Sequence, residues 1–162
     1  MTSVFYDLDD TCTNTTGILC GSLENVQKLR PFEGLVAVLG RADCQKHLVT
    51  SGVESVQREK IAVLGIALYF KSIRVCPEAS DKLILFTEIK KSIPPCDHRS
   101  IVVVGNRIDA EIRYGNMLGF HTVRLKYGKY GSQKPRIKAE IPDYTLNDVR
   151  ELGPILDRIG RY

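Results

Sequence analysis

Ile101-Val102-Val103-Val104-Gly105 is the stretch that most narrows the fold: four β-branched residues in a row, stopped by glycine. Successive residues of a strand point to opposite faces, so a strand with one face in water alternates apolar and polar side chains. An unbroken apolar run has both faces covered, the usual state of a central strand in a parallel sheet. Three further runs, Ser3-Val4-Phe5-Tyr6, Leu48-Val49 and Thr122-Val123-Arg124-Leu125, have the composition of strands. Between the strands, apolar residues recur three and four apart over Leu35 to Cys44, Val53 to Leu64, Ser80 to Ile93 and Asp109 to Leu118, which predicts helices. Ser80 is the expected cap of the third, and Gly119 the expected end of the fourth. A closing helix, Asn147 to Ile159, is expected to start on Asn147 and to be kinked or divided by Gly153-Pro154. Thr13–Ser22 and Tyr127–Pro142 read as loops. Each right-handed crossover between parallel strands needs a helix to return the chain, so the pattern is that of an α/β, three-layer Rossmann-like sandwich around a mainly parallel sheet.

At 162 residues the chain has the length of one domain, residues 1–162. Its 23 Lys and Arg exceed its 19 Asp and Glu by four, an excess that suits phosphate-bearing ligands and permits nucleic acid without indicating it. The five cysteines, Cys12, Cys20, Cys44, Cys76 and Cys96, contain no C-x-x-C pair, which argues against a disulfide scaffold or a four-cysteine zinc site. No leader-like start and no apolar run of membrane-spanning length is present, so a soluble, cytoplasmic protein with free thiols and no membrane partner is expected.

The sharpest chemical feature is Asp7-Leu8-Asp9-Asp10-Thr11, directly after the first strand. Asp7 and Asp9, two apart, are expected to face one site at the carboxyl end of the strand, where open α/β sheets bind ligands. Paired carboxylates are costly unless a cation neutralises them, and hard oxygen donors call for Mg²⁺. Thr50-Ser51-Gly52 ends the second strand with hydroxyls and a glycine, which together with backbone N–H groups can hold phosphoryl oxygens. Lys82 opens a helix, from which its ammonium can reach a phosphate. Asn106, Asp109 and Glu111 place an amide and two carboxylates just past the buried fourth run.

The order Asp7-x-Asp9-x-Thr11, then Thr50, then Lys82, then Gly105-Asn106-x-x-Asp109-x-Glu111 resembles the haloacid dehalogenase-like (HAD) hydrolase superfamily, chiefly Mg²⁺-dependent phosphatases. The likeness runs from about Val4 to Leu125, and Pro142-Asp143-Tyr144-Thr145 followed by a helix is similar to the closing segment of many members. The resemblance implies a HAD-like fold and hydrolysis of a phosphomonoester through an aspartyl-phosphate. Asp7 would be the nucleophile and Asp9 the general acid and base, while Thr50 and Lys82 would hold the phosphoryl oxygens. Mg²⁺ would bind Asp7, the Asp9 backbone carbonyl and a carboxylate of the fourth motif.

Two departures stand out. Many relatives have Gly-Asp where this chain has Gly105-Asn106; Asn can still offer one oxygen, with Asp109 or Glu111 supplying charge, and spacing does not choose between them. Only 38 residues separate Thr11 from Thr50, which leaves residues 12–30 for a short flap or minimal cap. An open site of this kind takes a large phosphorylated substrate or borrows a wall from another subunit of a homo-oligomer.

Other readings follow from the same residues. Asn106 and the missing cap are also compatible with a catalytically weakened HAD-like phosphate-binding or regulatory module. A phosphorelay receiver ranks lower, because the only convincing acidic pair ends the first strand. Lys126-Tyr127-Gly128-Lys129-Tyr130, with Lys134, Arg136 and Lys138, interleaves aromatic and positive residues but reads as a solvated loop beside the site mouth. His47, His98 and His121 are assigned no metal or catalytic role and are expected on the surface or at strand edges.

Overall fold

The computed structural model describes residues 1–160. Six strands, β1 (Thr2–Tyr6), β2 (Cys44–Ser51), β3 (Ser72–Cys76), β4 (Ile101–Gly105), β5 (His121–Leu125) and β6 (Tyr144–Leu146), form one sheet in the order β3-β2-β1-β4-β5-β6. Every pairing is parallel. The helices are α1 (Thr15–Leu19), α2 (Leu35–Leu39), α3 (Glu54–Leu64), α4 (Lys82–Lys91), α5 (Arg113–Met117) and α6 (Leu152–Ile159).

The period of two sorts the strand residues onto two cores. Val4, Tyr6, Leu48, Val102, Val104, Val123 and Leu125 pack on one face with residues of α2, α3 and α6. Phe5, Val49, Ile101 and Val103 pack on the other with Phe86 and Ile89 of α4 and with Phe120. The β4 run is buried along its whole length, as an apolar run in a doubly covered sheet requires. The three-layer α/β architecture expected from the sequence is the one observed.

Several expectations need correction. The helix expected over Leu35 to Cys44 stops at Leu39, and Cys44 already belongs to β2, which is longer than Leu48-Val49. Ser80 is not the cap of the third helix: Glu78 and Asp81 form a reciprocal capping box just ahead of α4, and the Glu78 N–H donates to Asp81 Oδ2 at 3.1 Å. The fourth helix opens as a π-helical turn, Ile108–Ile112, before α5, and the chain turns at Gly119 with φ +73° as expected. Asp148, not Asn147, caps the closing segment, which divides into a 3-10 turn, Val149–Glu151, and α6. The Thr13–Ser22 loop contains α1, capped by Asn14. His47 is not at a surface: it is buried in β2, its Nδ1 2.7 Å from Ser72 Oγ and its ring 5.2 Å from that of Phe5.

Residues 12–30 fold back onto the main body. Cys12, Leu19, Val26 and Leu29 join the first core, and Thr13 makes bridges to Asp9 and to Pro31. All five cysteines are free thiols. No helix among the described residues is long and apolar enough to cross a membrane.

Candidate active site

β2 and β4 flank β1 on opposite sides, so the connections leaving the carboxyl ends of β1 and β4 diverge and open a crevice between them. Asp7 lies at this point, its N–H donating to Val104 O at 3.0 Å. The chain then makes a single helical turn, with Cys12 N bonded to Leu8 O at 2.9 Å and Asp10 at φ +54°. Asp10 holds the turn shut. Its carboxylate accepts from Thr16 N at 2.9 Å, from Thr16 Oγ1 at 2.5 Å and from Lys129 N at 3.3 Å.

Asp7 is buried, and so is the cation that meets it. Lys82 Nζ, from the first turn of α4, lies 2.6 Å from Asp7 Oδ1 and 2.5 Å from Glu111 Oε1. Glu111, fully buried on the π-helical turn, also accepts from Arg107 N at 3.1 Å. Gly105 is a place where only glycine fits, because a Cβ there would overlap the Glu111 side chain. Burial pushes the Asp7 carboxyl above the ordinary carboxylate range, Lys82 pulls it down, and Glu111 and Asp9 push it up again. Burial also works against the Lys82 charge, but its two carboxylates outweigh that and keep it an ammonium.

Asp9 is held differently. Its side chain is 30% exposed, and Lys60 Nζ from α3 lies 2.8 Å from Oδ1. Thr15 Oγ1 donates to the same oxygen at 2.7 Å, and Gln57 Nε2 donates to Oδ2 at 3.1 Å. Gln57 also bonds Ser51 O at 3.1 Å and accepts from Thr50 Oγ1 at 3.4 Å, which links the end of β2 to Asp9.

The structure therefore sorts these residues into two hydrogen-bonded groups, the first Asp7 with Lys82 and Glu111 and the second Asp9 joined to Thr50 through Gln57. Ser51 contributes a carbonyl to the second, while the next amide, Gly52 N, is already bonded to Cys76 O at 2.8 Å. Asn106 is buried at the end of β4, with Nδ2 donating to Tyr127 O at 3.4 Å. Asp109 turns away to pair with Arg107 at 3.2 Å, and that pair holds its carboxyl below the ordinary range against the opposing effect of burial. Lys60 and Gln57 were not singled out from the sequence. A signal existed: Gln57, Lys60, Ile61 and Leu64 share one helical face, and two polar residues on a core-facing stripe imply a polar partner inside.

The oxygens that follow β1 and β4, the Asp7 carboxylate and the Asn106 amide, are of the kind a hard cation takes. Among the described residues no three His, Cys, Asp or Glu side chains gather at one point, so the available set is one carboxylate, Asp7, with the Asn106 amide and backbone carbonyls. Mg²⁺ accepts such a set, since it commonly takes one or two carboxylates and keeps several waters.

No family model matches the chain. Glyceraldehyde 3-phosphate phosphatase of Methanopyrus kandleri is 30% identical over 118 residues, 70% of this chain and 49% of that protein. The enzyme of the same name from Methanocaldococcus jannaschii is 30% identical over 153 residues, 91% of this chain and 65% of that protein. The chain thus spans about half to two thirds of the length of these curated relatives. Among solved structures, the HAD-hydrolase YfnB of Bacillus subtilis, bound to magnesium, superposes with a TM-score of 0.73 at 15% identity, covering 96% of this chain and 98% of that one. At that identity the likeness speaks for the fold.

Proposed function

Because this chain belongs to the haloacid dehalogenase-like hydrolase superfamily, we propose that it is a Mg²⁺-dependent phosphatase acting on a phosphomonoester through an aspartyl-phosphate. The observation that supports the reading best is the buried Asp7–Lys82–Glu111 triad, 2.6 and 2.5 Å between charged atoms, at the open end of a parallel sheet. Two carboxylates and one lysine out of water are poor stabilisers, and their concentration at a crevice is the mark of a site built for reaction.

In this reading an Asp7 carboxylate oxygen attacks phosphorus, a P–O bond to Asp7 forms, and the ester P–O bond breaks. Asp9, carrying a proton taken up as the ester binds, gives it to the departing alkoxide. It then takes a proton from the water that attacks the phosphoryl group, which returns Asp7 as a carboxylate and releases phosphate. Thr50 Oγ1 and Lys82 Nζ bind the phosphoryl oxygens as their charge redistributes. Glu111 positions Lys82 and is given no contact with substrate. Asp7, the Asp9 carbonyl and Asn106 would hold Mg²⁺, which when bound offsets the repulsion between the nucleophile and the phosphate.

Residues 12–30 form a minimal cap in this proposal, and a single domain covers residues 1–162. An open site of this kind suits a substrate larger than the glyceraldehyde 3-phosphate named for the relatives. The test is a panel of phosphorylated metabolites and polymers with Mg²⁺, with EDTA, and with Asp7→Asn. Turnover that needs both Mg²⁺ and Asp7 supports the reading, and turnover indifferent to Asp7 overturns it. Asn106, a neutral amide at the end of β4, favours a second reading, a phosphate-binding module with weak catalysis. Tight beryllium fluoride binding without turnover across the panel would select it.

A further inference from the structure

Lys60 is a buried cation that the reaction just described does not use. It sits in the middle of α3, 5% exposed, and the one carboxylate it meets is Asp9, at 2.8 Å. A lysine is rarely buried unless its charge is matched, and its partner here is the group assigned to move the proton. Gln57, one helical turn earlier and equally buried, takes the other Asp9 oxygen while bridging to Thr50 and to Ser51 O. The two side chains therefore grip both oxygens of Asp9 from one rigid face and fix its carboxylate relative to the end of β2. Nothing comparable is available from its own loop, where Thr15 supplies a single hydroxyl at 2.7 Å.

We infer that Lys60, seconded by Gln57, is a positioning residue for proton transfer: it aims the Asp9 carboxyl at the oxygen of the leaving group. This rests on the reading of Asp9 as the general acid and adds residues of α3 to it. Misplacing a reacting group by about an ångström can cost on the order of a hundredfold. The loss should appear only where the leaving group needs a proton. An alkoxide must be protonated as it departs, whereas a nitrophenolate leaves unaided, and kcat/KM reports the steps up to that departure.

The experiment measures kcat/KM for an alkyl phosphate and for p-nitrophenyl phosphate with the wild type, Lys60→Met, Lys60→Arg and Gln57→Leu, with thermal unfolding as a check on folding. The expected result for Lys60→Met is a loss of about tenfold or more on the alkyl ester, with the aryl ester changed less than about threefold. Lys60→Arg should recover much of the alkyl activity, and Gln57→Leu should show the same selective loss in smaller measure. Equal losses on both esters in a folded Lys60→Met protein, or no loss on either, overturn this inference alone. If Lys60→Met fails to fold, Gln57→Leu decides by the same ratio. Wild-type protein that turns over neither these esters nor any phosphorylated compound of the panel with Mg²⁺ overturns the proposed phosphatase function and the role of Lys60 with it.

Discussion

Asp7 and Asp9 leave the same strand two residues apart, yet their surroundings differ in kind. Asp7 is buried, and its cation is shared with a second buried carboxylate. Asp9 is partly open to solvent and has a lysine to itself, with a hydroxyl and an amide completing its contacts. A nucleophile gains from a dry pocket, where fixed charges act at full strength on the phosphoryl group. A proton carrier has to meet both a leaving group and a water, so it needs an opening. Two residues just beyond one strand thus acquire different surroundings from the helices that cover them, α4 for one and α3 for the other.

The comparison is broken most directly by removing each carboxylate. Asp7→Asn is expected to lower turnover by at least about 10³-fold on every ester, because the proposed covalent intermediate forms on Asp7. Asp9→Asn should hit alkyl esters harder than aryl esters. Equal effects of the two substitutions across the panel would mean that the division of labour is wrong. The dry pocket also predicts a stability difference. Lys82→Met leaves Asp7 and Glu111 facing each other without a cation and should cost about 3–5 kcal/mol in urea unfolding. Lys60→Met, opposite a part-exposed Asp9, should cost clearly less, and an equal cost would remove the contrast in burial.

A control lies outside the site. Burial pushes the His47 imidazole down to about 4, from an ordinary value near 6.5. Between those values the unfolded chain binds a proton that the folded chain refuses, so stability falls as pH drops from about 6.5 to about 4. The fall expected from His47 is roughly 2–3 kcal/mol. His47→Gln should flatten urea unfolding measured across that window, and an unchanged slope would return the acid sensitivity to the carboxylate cluster. The smallest expected effect concerns the cation. Asn106→Asp adds a carboxylate at the end of β4 and should tighten Mg²⁺ binding by about tenfold, read from the Mg²⁺ dependence of thermal unfolding. No change would place the ion away from β4.

Much of this was legible in the residues themselves. The apolar β4 run fixed a doubly covered sheet, and Asp7, Asp9, Thr50 and Lys82 were each expected at the end of a strand or the start of a helix. What stayed hidden depends on contacts distant in sequence. β3 has only Ile73, Val75 and Cys76 as apolar residues and sits at an edge, so its periodicity is short and weak. His47 reads as a polar residue before a strand because β2 starts at Cys44, earlier than its apolar residues suggest. Spacing left Asp109 and Glu111 equivalent, whereas the π-helical turn carries Glu111 inward to Lys82 and leaves Asp109 with Arg107. Lys60 lies 51 positions from Asp9, and only folding reveals what its charge is for.

The Asp10 clasp ties together segments 119 residues apart in the chain. Gly128, at φ +64°, has no room for a side chain because Asp10 fills the space where a Cβ would go. A single methyl group at position 128 would evict Asp10, loosen its hold on Thr16 and slacken the loop on which Asp9 rides. A glycine beyond the fifth strand is thus coupled, through Asp10, to the loop that follows the first.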